Sequence, residues 1–431
     1  MYNDIVSSYA SSMHAIKAYV SSVEELVGEG DQLINGASIL VRIMWIAKLF
    51  KEKGIDIEDF DFAKTLPEDI DVPEGKMSDV KRLMRDLVEA MSEQLVVSED
   101  GKTATYGHMS KDIKEQFIKI EAEKRKPDLL YSGSLMLLVT YFENLVSKVI
   151  KEDLKLHPQR MSLENKQVPY SMLEKANDIS DIKNMLIDEE VSALMYQSLK
   201  DWIEYLSNKV KLKQNYIRSI QEKLKEIIVR RNIIVHNEGI VNSIYLTIVD
   251  PMERKNIKQG DTLEVDEEYL NRAIDIIELS GMALAIEAWI KECGSNEDEM
   301  QKIANFIYDE YLIFERWEEA KTLYEICLEC KKLKDADKLL CQINRWQCFK
   351  WQERFDEVVD EVKEFDISAT GPEFTLGILA LLDKYDEFFS YFDSQNVIKE
   401  THLQEWPLFK NIRETQMYID RYSKKKTKNN K

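Results

Sequence analysis

Glycine and proline are scarce in this sequence, 14 and 8 among 431 residues, which counts against turn-rich β structure and favours long helices. Long hydrophobic runs are missing too. No stretch approaches the ~20 uninterrupted apolar residues of a membrane helix, and Met1-Tyr2-Asn3-Asp4 lacks the basic-then-apolar order of a signal peptide. No membrane partner is therefore expected. Cysteine is limited to five, an odd number in a large chain, so a disulfide framework is not expected and reduced thiols fit a cytoplasmic protein. Positive charge is in deficit, 59 Lys and Arg against 79 Asp and Glu. A net charge of −20 argues against a protein that coats nucleic acid by bulk electrostatics, because phosphate contacts need a positive surface. Any nucleic-acid site must be local.

The chain is too long for one core, so two or three domains are expected, and the fold class is read as all-α. Residues 1–110 read as an N-terminal helical domain, with helices over Tyr2–Leu26, Gly36–Lys53 and Asp79–Gln94 and an acidic connector, Asp56–Gly75. A short hairpin closes it: Gln94-Leu95-Val96-Val97-Ser98 and Lys102-Thr103-Ala104-Thr105-Tyr106 flank Glu99-Asp100-Gly101, where Asp-Gly supplies the positive φ of a tight turn. A helical segment plus hairpin also fits a winged-helix DNA reader, but no basic recognition helix precedes this wing. A packing or dimerisation domain is the preferred reading.

Residues 111–293 read as a helical bundle. Leu135 to Val139, Phe142, Leu145, Val146, Val149 and Ile150 form the apolar surface of a central helix, with Glu143 set among them. An acid inside such a face needs a partner. His157 to Pro169 reads as a loop, followed by helices Glu190–Ser207 and Asn215–Asn237, a polar spacer carrying Pro251 and Gly260, and a last helix Asp266–Cys293. Ile217, Ile220, Leu224, Ile227 and Ile228 mark the buried stripe of the second helix, and Gly239 stands where a C-cap glycine would.

The local positive site falls on that helix. Lys209, Lys211, Lys213, Arg218, Lys223, Lys225, Arg230 and Arg231 face only Glu222 and Glu226 within the same stretch, and they run into Arg231-Asn232-Ile233-Ile234-Val235-His236. Asn232 is four residues from His236, on one helical face, and can orient its imidazole. Arg231 lies five residues before His236, about 140° away around an ideal helix, so one helix cannot make the two converge. Two copies across a two-fold axis can. An RNA 2′-hydroxyl is a built-in nucleophile; cleavage then needs a group that exchanges protons near neutral pH, as imidazole does, and a fixed cation for the charge developing on phosphorus, as arginine is. No metal or other cofactor is demanded, and the five histidines (14, 108, 157, 236, 402) look scattered.

The Arg, polar residue, three residues, His spacing resembles the motif of HEPN-domain ribonucleases. Leu135-Met136-Leu137-Leu138-Val139-Thr140-Tyr141-Phe142-Glu143-Asn144-Leu145 and Gly260-Asp261 before the last helix are similar to that family as well, so that the resemblance covers about 180 residues. It implies a helical bundle that dimerises to form the cleft, Arg231 and His236 as the catalytic pair, Asn232 orienting, and Glu143 supporting from the earlier helix. RNA would enter along the basic run, over Lys213, Arg218, Lys223 and Arg230. Stand-alone relatives resemble, as a group, toxins and anti-phage abortive-infection effectors that cut tRNA or other cellular RNA. The alternative is a non-enzymatic interaction protein whose HEPN-like bundle only dimerises or binds RNA.

Beyond Gly294, residues 294–420 look repetitive. Arg316-Trp317-Glu318-Glu319-Ala320, Arg354-Phe355-Asp356-Glu357-Val358 and Lys384-Tyr385-Asp386-Glu387-Phe388 share one order: basic, aromatic, acidic, Glu, apolar. The region resembles degenerate tetratricopeptide repeats, which implies an α-solenoid able to carry a protein partner or trigger. Cys327, Cys330, Cys341 and Cys348 include a Cys-x-x-Cys pair, but no turn glycine separates it, and buried thiols are preferred to a zinc site. Residues 421–431 read as a basic, disordered tail.

Overall fold

The structure, a computed structural model, describes residues 1–22, 95–97, 104–106, 111–161, 167–366, 370–395 and 398–421. The helices expected at 36–53 and 79–94, the connector between them, the Glu99-Asp100-Gly101 turn and the basic tail from residue 422 lie outside the described residues. The fold class is all-α, with one small hairpin. Helix α1 covers residues 2–22, and β1 (Leu95–Val97) pairs antiparallel with β2 (Ala104–Tyr106) in the register Leu95↔Tyr106, Val96↔Thr105, Val97↔Ala104.

Contacts group the chain into two units: Ile16–Leu135 with Glu264–Leu270, and Met1–Ala15 with Met136–Leu263 and Asn271–Lys431. The first contains the hairpin and the opening turns of helix α2 (Lys111–Leu156), which carries Pro127 in its interior. The second contains the rest of α2, helices α3 (Ile179–Met195), α4 (Leu199–Tyr205) and α5 (Gln221–Asn237), most of α6 (Glu267–Cys293), and all that follows.

Helix α2 is the core element anticipated from its apolar face: Leu138, Val139, Phe142, Leu145, Val146, Val149 and Ile150 are all buried. By length and composition alone Arg125–Leu156 could cross a membrane, although Glu143 and Lys148 interrupt its apolar residues, as the sequence indicated. Half of its apolar window is nevertheless buried within the protein, and Glu143 and Asp153 on it are ion-paired to Arg231 and Arg160.

Three boundaries differ from the sequence reading. The expected Glu190–Ser207 helix is interrupted at Ser198, which forms a capping box with Asp201 and starts α4 afresh. The expected Asn215–Asn237 helix splits at Ile220, where the Ser219 hydroxyl donates to the Tyr216 carbonyl and the Ile220 N–H closes on Ile217, ending a first short helix, Asn215–Ser219. The supposed polar spacer is two short helices, Ser243–Ile248 and Pro251–Arg254, begun by the side chains of Asn242 and Asp250. Glycine does end α5: Glu238 and Gly239 both adopt positive φ, and the Gly239 N–H bonds to the Ile233 carbonyl.

Helix α1 docks through a close approach. The Tyr9 hydroxyl donates to the Ile277 carbonyl at 2.7 Å, and its ring lies so near Gly281 on α6 that a Cβ there would sit 2.4 Å from ring carbons.

The C-terminal region comprises α7 (Glu297–Ile307), α8 (Trp317–Leu328), α9 (Asp335–Trp351), a short helix Val359–Glu364, α10 (Pro372–Leu381) and α11 (Tyr385–Gln395). Helix α8 packs on α9, α9 on α10 and α10 on α11. The three sequence repeats coincide with one recurring turn. Glu315, Glu353 and Asp383 each take positive φ, and the basic residue that follows sends its N–H five residues back, Arg316 to Tyr311, Arg354 to Phe349 and Lys384 to Leu379. Cys327, Cys341 and Cys348 are buried, and all five cysteines are free thiols. Trp346 and Phe349 are likewise core residues.

Gly281→Ala should destabilise the protein by about 1–3 kcal/mol, because the methyl group collides with a buried ring that has no room to move. Thermal or denaturant unfolding measures this, and an unchanged midpoint would count against the docking of α1.

Candidate active site

Helix α5 brings Arg231 beside α2, and the two helices are joined there by one ion pair. An Arg231 Nη2 N–H donates to Glu143 Oε1, with both side chains mostly enclosed, at 17% and 28% exposure. The Arg231 Nε is also enclosed and has no partner. The acid set among the apolar residues of α2 thus meets the arginine of the motif.

His236 lies in the last turn of α5 and is exposed. Asn232 is exposed too, and no hydrogen bond joins it to His236 among the described residues. Asn232, Val235 and His236, spaced by three and four, share one outward face, with Val235 46% exposed. Arg231 points inward to Glu143. The structure therefore brings Glu143 and Arg231 together and leaves His236 and Asn232 facing out from the same helix end.

The basic run divides by partner. Arg230 is 11% exposed and its Nε donates to Glu226 Oε1 at 2.8 Å; the same oxygen accepts from the Tyr245 hydroxyl at 2.9 Å. Burial, then the charge and hydrogen bond of Glu226, raise the Tyr245 phenol well above its ordinary range, so it stays a donor. Arg230, expected on an RNA-binding surface, is thereby engaged in holding α5 to the helix Ser243–Ile248. Lys213 reaches Glu329 at 2.8 Å, and Asn215 reaches the other oxygen of Glu329 at 2.8 Å. Arg218 bonds to Ser207 and to the Lys213 carbonyl, and its side chain is exposed. Lys225 pairs with Glu222. Lys209, Lys211 and Lys223 are exposed with no ion pair among the described residues.

Two further features escaped the sequence reading. Beyond His236, Ile240, Ile244, Ile248 and Met252 are exposed at 43%, 61%, 44% and 86%, a large apolar display for helices that pack on α5. Their spacing of four was the available signal, hidden by treating the stretch as a spacer. The histidines are also less scattered than they looked: Asp153, His157 and Glu292 place one donor atom each within 4.8 Å of one another. The Asp-x-x-x-His spacing at the end of α2 pointed to it, but Glu292 lies 135 residues further on.

A family model described as RiboL-PSP-HEPN matches residues 109–259, a span that contains Glu143, Arg231, Asn232, His236 and the whole basic run. The match supports a HEPN domain in this part of the chain. Comparison with curated proteins and with solved structures gives no match.

Removing Glu226 should cost about 3 kcal/mol, since Arg230 and the Tyr245 hydroxyl both lose the enclosed carboxylate they share. Tyr245→Phe should cost about 1 kcal/mol by removing only one hydrogen bond. Chemical denaturation of the two variants checks the order, and a Glu226→Ala protein as stable as wild type would contradict it.

Proposed function

We propose that the protein is a metal-independent endoribonuclease of the HEPN type, with Arg231 and His236 as its catalytic pair. The observation that carries this reading is the fixing of Arg231 by Glu143 while His236, on the same helix, stays open to solvent. A guanidinium held by a carboxylate is oriented as well as charged, which is what stabilising a phosphorane requires. An exposed imidazole can reach a substrate.

One copy cannot bring the two faces together, and the site is completed by a second copy of this chain. The exposed row Val235, Ile240, Ile244, Ile248 and Met252 supports that partner, since it borders His236 and would be covered in a two-fold dimer. In the composite cleft the 2′-hydroxyl loses its proton to one imidazole, the 2′-oxygen bonds to phosphorus, and the bond to the 5′-oxygen breaks. The leaving oxygen takes a proton from the other imidazole. The products are a 2′,3′-cyclic phosphate and a 5′-hydroxyl, with no net proton consumed.

The setting is proposed to be a toxin or defence effector acting on cellular RNA such as tRNA, with the C-terminal helices restraining the nuclease. The contact of Lys213 and Asn215 with Glu329, at the end of α8, supports a restraint that withholds a cation from RNA.

Purified protein should cleave RNA after brief EDTA treatment and leave cyclic phosphate ends, and His236→Ala or Arg231→Ala should each lower the rate about 100-fold or more. Wild-type rates in both variants would remove the site assignment. Ile244→Glu with Ile248→Glu should give monomers by light scattering and the same loss of cleavage. Glu329→Ala should bind RNA more tightly at low salt. Its log–log salt dependence should steepen by about 0.7, the value for one more phosphate neutralised on a single strand. Unchanged binding would exclude Lys213 from the RNA path.

A further inference from the structure

Where α2 and α6 end side by side, buried and partly buried ionisable groups gather, away from Arg231. Asp153 is fully buried and Glu152 is 7% exposed. His157, whose N–H continues the last turn of α2 onto the Asp153 carbonyl, places its Nε2 2.9 Å from Glu292 Oε2. Two cations hold the carboxylates: Arg160 and Lys291 both reach Asp153 Oδ1, and Lys291 also reaches Glu292 Oε1 at 2.7 Å. That leaves Glu292 Oε2 beside the imidazole and Asp153 Oδ2 without a partner.

The other buried polar atoms here are also unmatched. Glu152 Oε1 and the hydroxyls of Tyr2 and Tyr205 have no hydrogen-bond partner. Tyr2 lies close enough that, after burial itself, the charges of Asp153, Glu292 and Glu152 push its phenol well above the ordinary range; Tyr205 feels Glu190 and Asp153 after burial. Four unpartnered buried polar atoms, on Asp153, on Glu152 beside it in sequence and on two tyrosines that feel the Asp153 charge, are more than a packed interior usually carries. Three carboxylates stand against two fixed cations, Arg160 and Lys291, with the imidazole of His157 beside Glu292.

We infer that Asp153, His157 and Glu292 form a structural site for a divalent transition-metal cation such as Zn2+ or Mn2+, joining the ends of α2 and α6. One imidazole nitrogen and two carboxylate oxygens suit such an ion, and their donor atoms already lie within 4.8 Å of one another. Arg160 and Lys291 act as outer partners that aim the carboxylates, much as hydrogen bonds orient ligands in known metal sites. The metal stands apart from the catalytic reading, and its test needs no RNA.

The test uses the full chain purified without chelators. Elemental analysis should find about one transition-metal ion per chain, and returning Zn2+ or Mn2+ to stripped protein should raise the melting temperature by several degrees. His157→Gln should bind the ion at least tenfold more weakly and lose most of that rise. Metal-free wild type with no thermal response up to about 100 micromolar of either ion would overturn the site. So would a His157→Gln protein that binds as wild type does, since the ion would then sit on the cysteines. If that variant fails to fold, anomalous scattering from wild-type crystals decides: a metal peak among the three side chains supports the site, and water alone refutes it.

Discussion

A charge inside an apolar helix face is costly unless something meets it, and Glu143 on α2 is met by Arg231 on α5. The rest of the site follows from that pairing. It sets the rotation of α5, which turns Arg231 and the Arg230–Glu226–Tyr245 cluster toward the protein and puts Asn232, Val235 and His236 on the outside. Had α5 rotated by a single residue, about 100°, Arg230 or Asn232 rather than Arg231 would face α2.

The same pairing explains how a chain of net charge −20 can carry a basic island without dispersing it. Acidic residues from distant segments, Glu143 and Glu329, pair with Arg231, which faces the protein, and with the exposed Lys213. Lys209, Lys211, Arg218 and Lys223 remain exposed. An excess of acid elsewhere would discourage RNA from settling off that surface.

What could be read from the sequence was whatever depends on periodicity and local spacing. The all-α class, the core face of α2, the buried stripe of α5, its glycine end and the presence of a hairpin all follow from residues a few positions apart. The helix breaks at Ser198 and Ile220 were less legible, because a continuous apolar pattern runs through them and the decisive bonds are made by single side chains. Glu143 announced that it needed a partner without saying which. The gathering of Asp153, His157 and Glu292 was harder still, since it requires the ends of two helices far apart in sequence to meet. The apolar row from Ile240 to Met252 was masked by Pro251 and Gly260, which suggested a linker where two short helices stand.

Tyr9 gives the fold an order in time. Its hydroxyl is bound to Ile277 and its ring fills the space left by Gly281, a closure across 268 positions of sequence. A chain emerging from the ribosome would have displayed every residue of the Arg231–His236 helix before it could complete this contact. Until then α1 can meet α2, through Lys148 and Ser8, but cannot take its place against α6. Closing so large a loop is slow relative to forming the local helices, so a partly made chain would hold the chemical groups of the site in a bundle that is not yet closed.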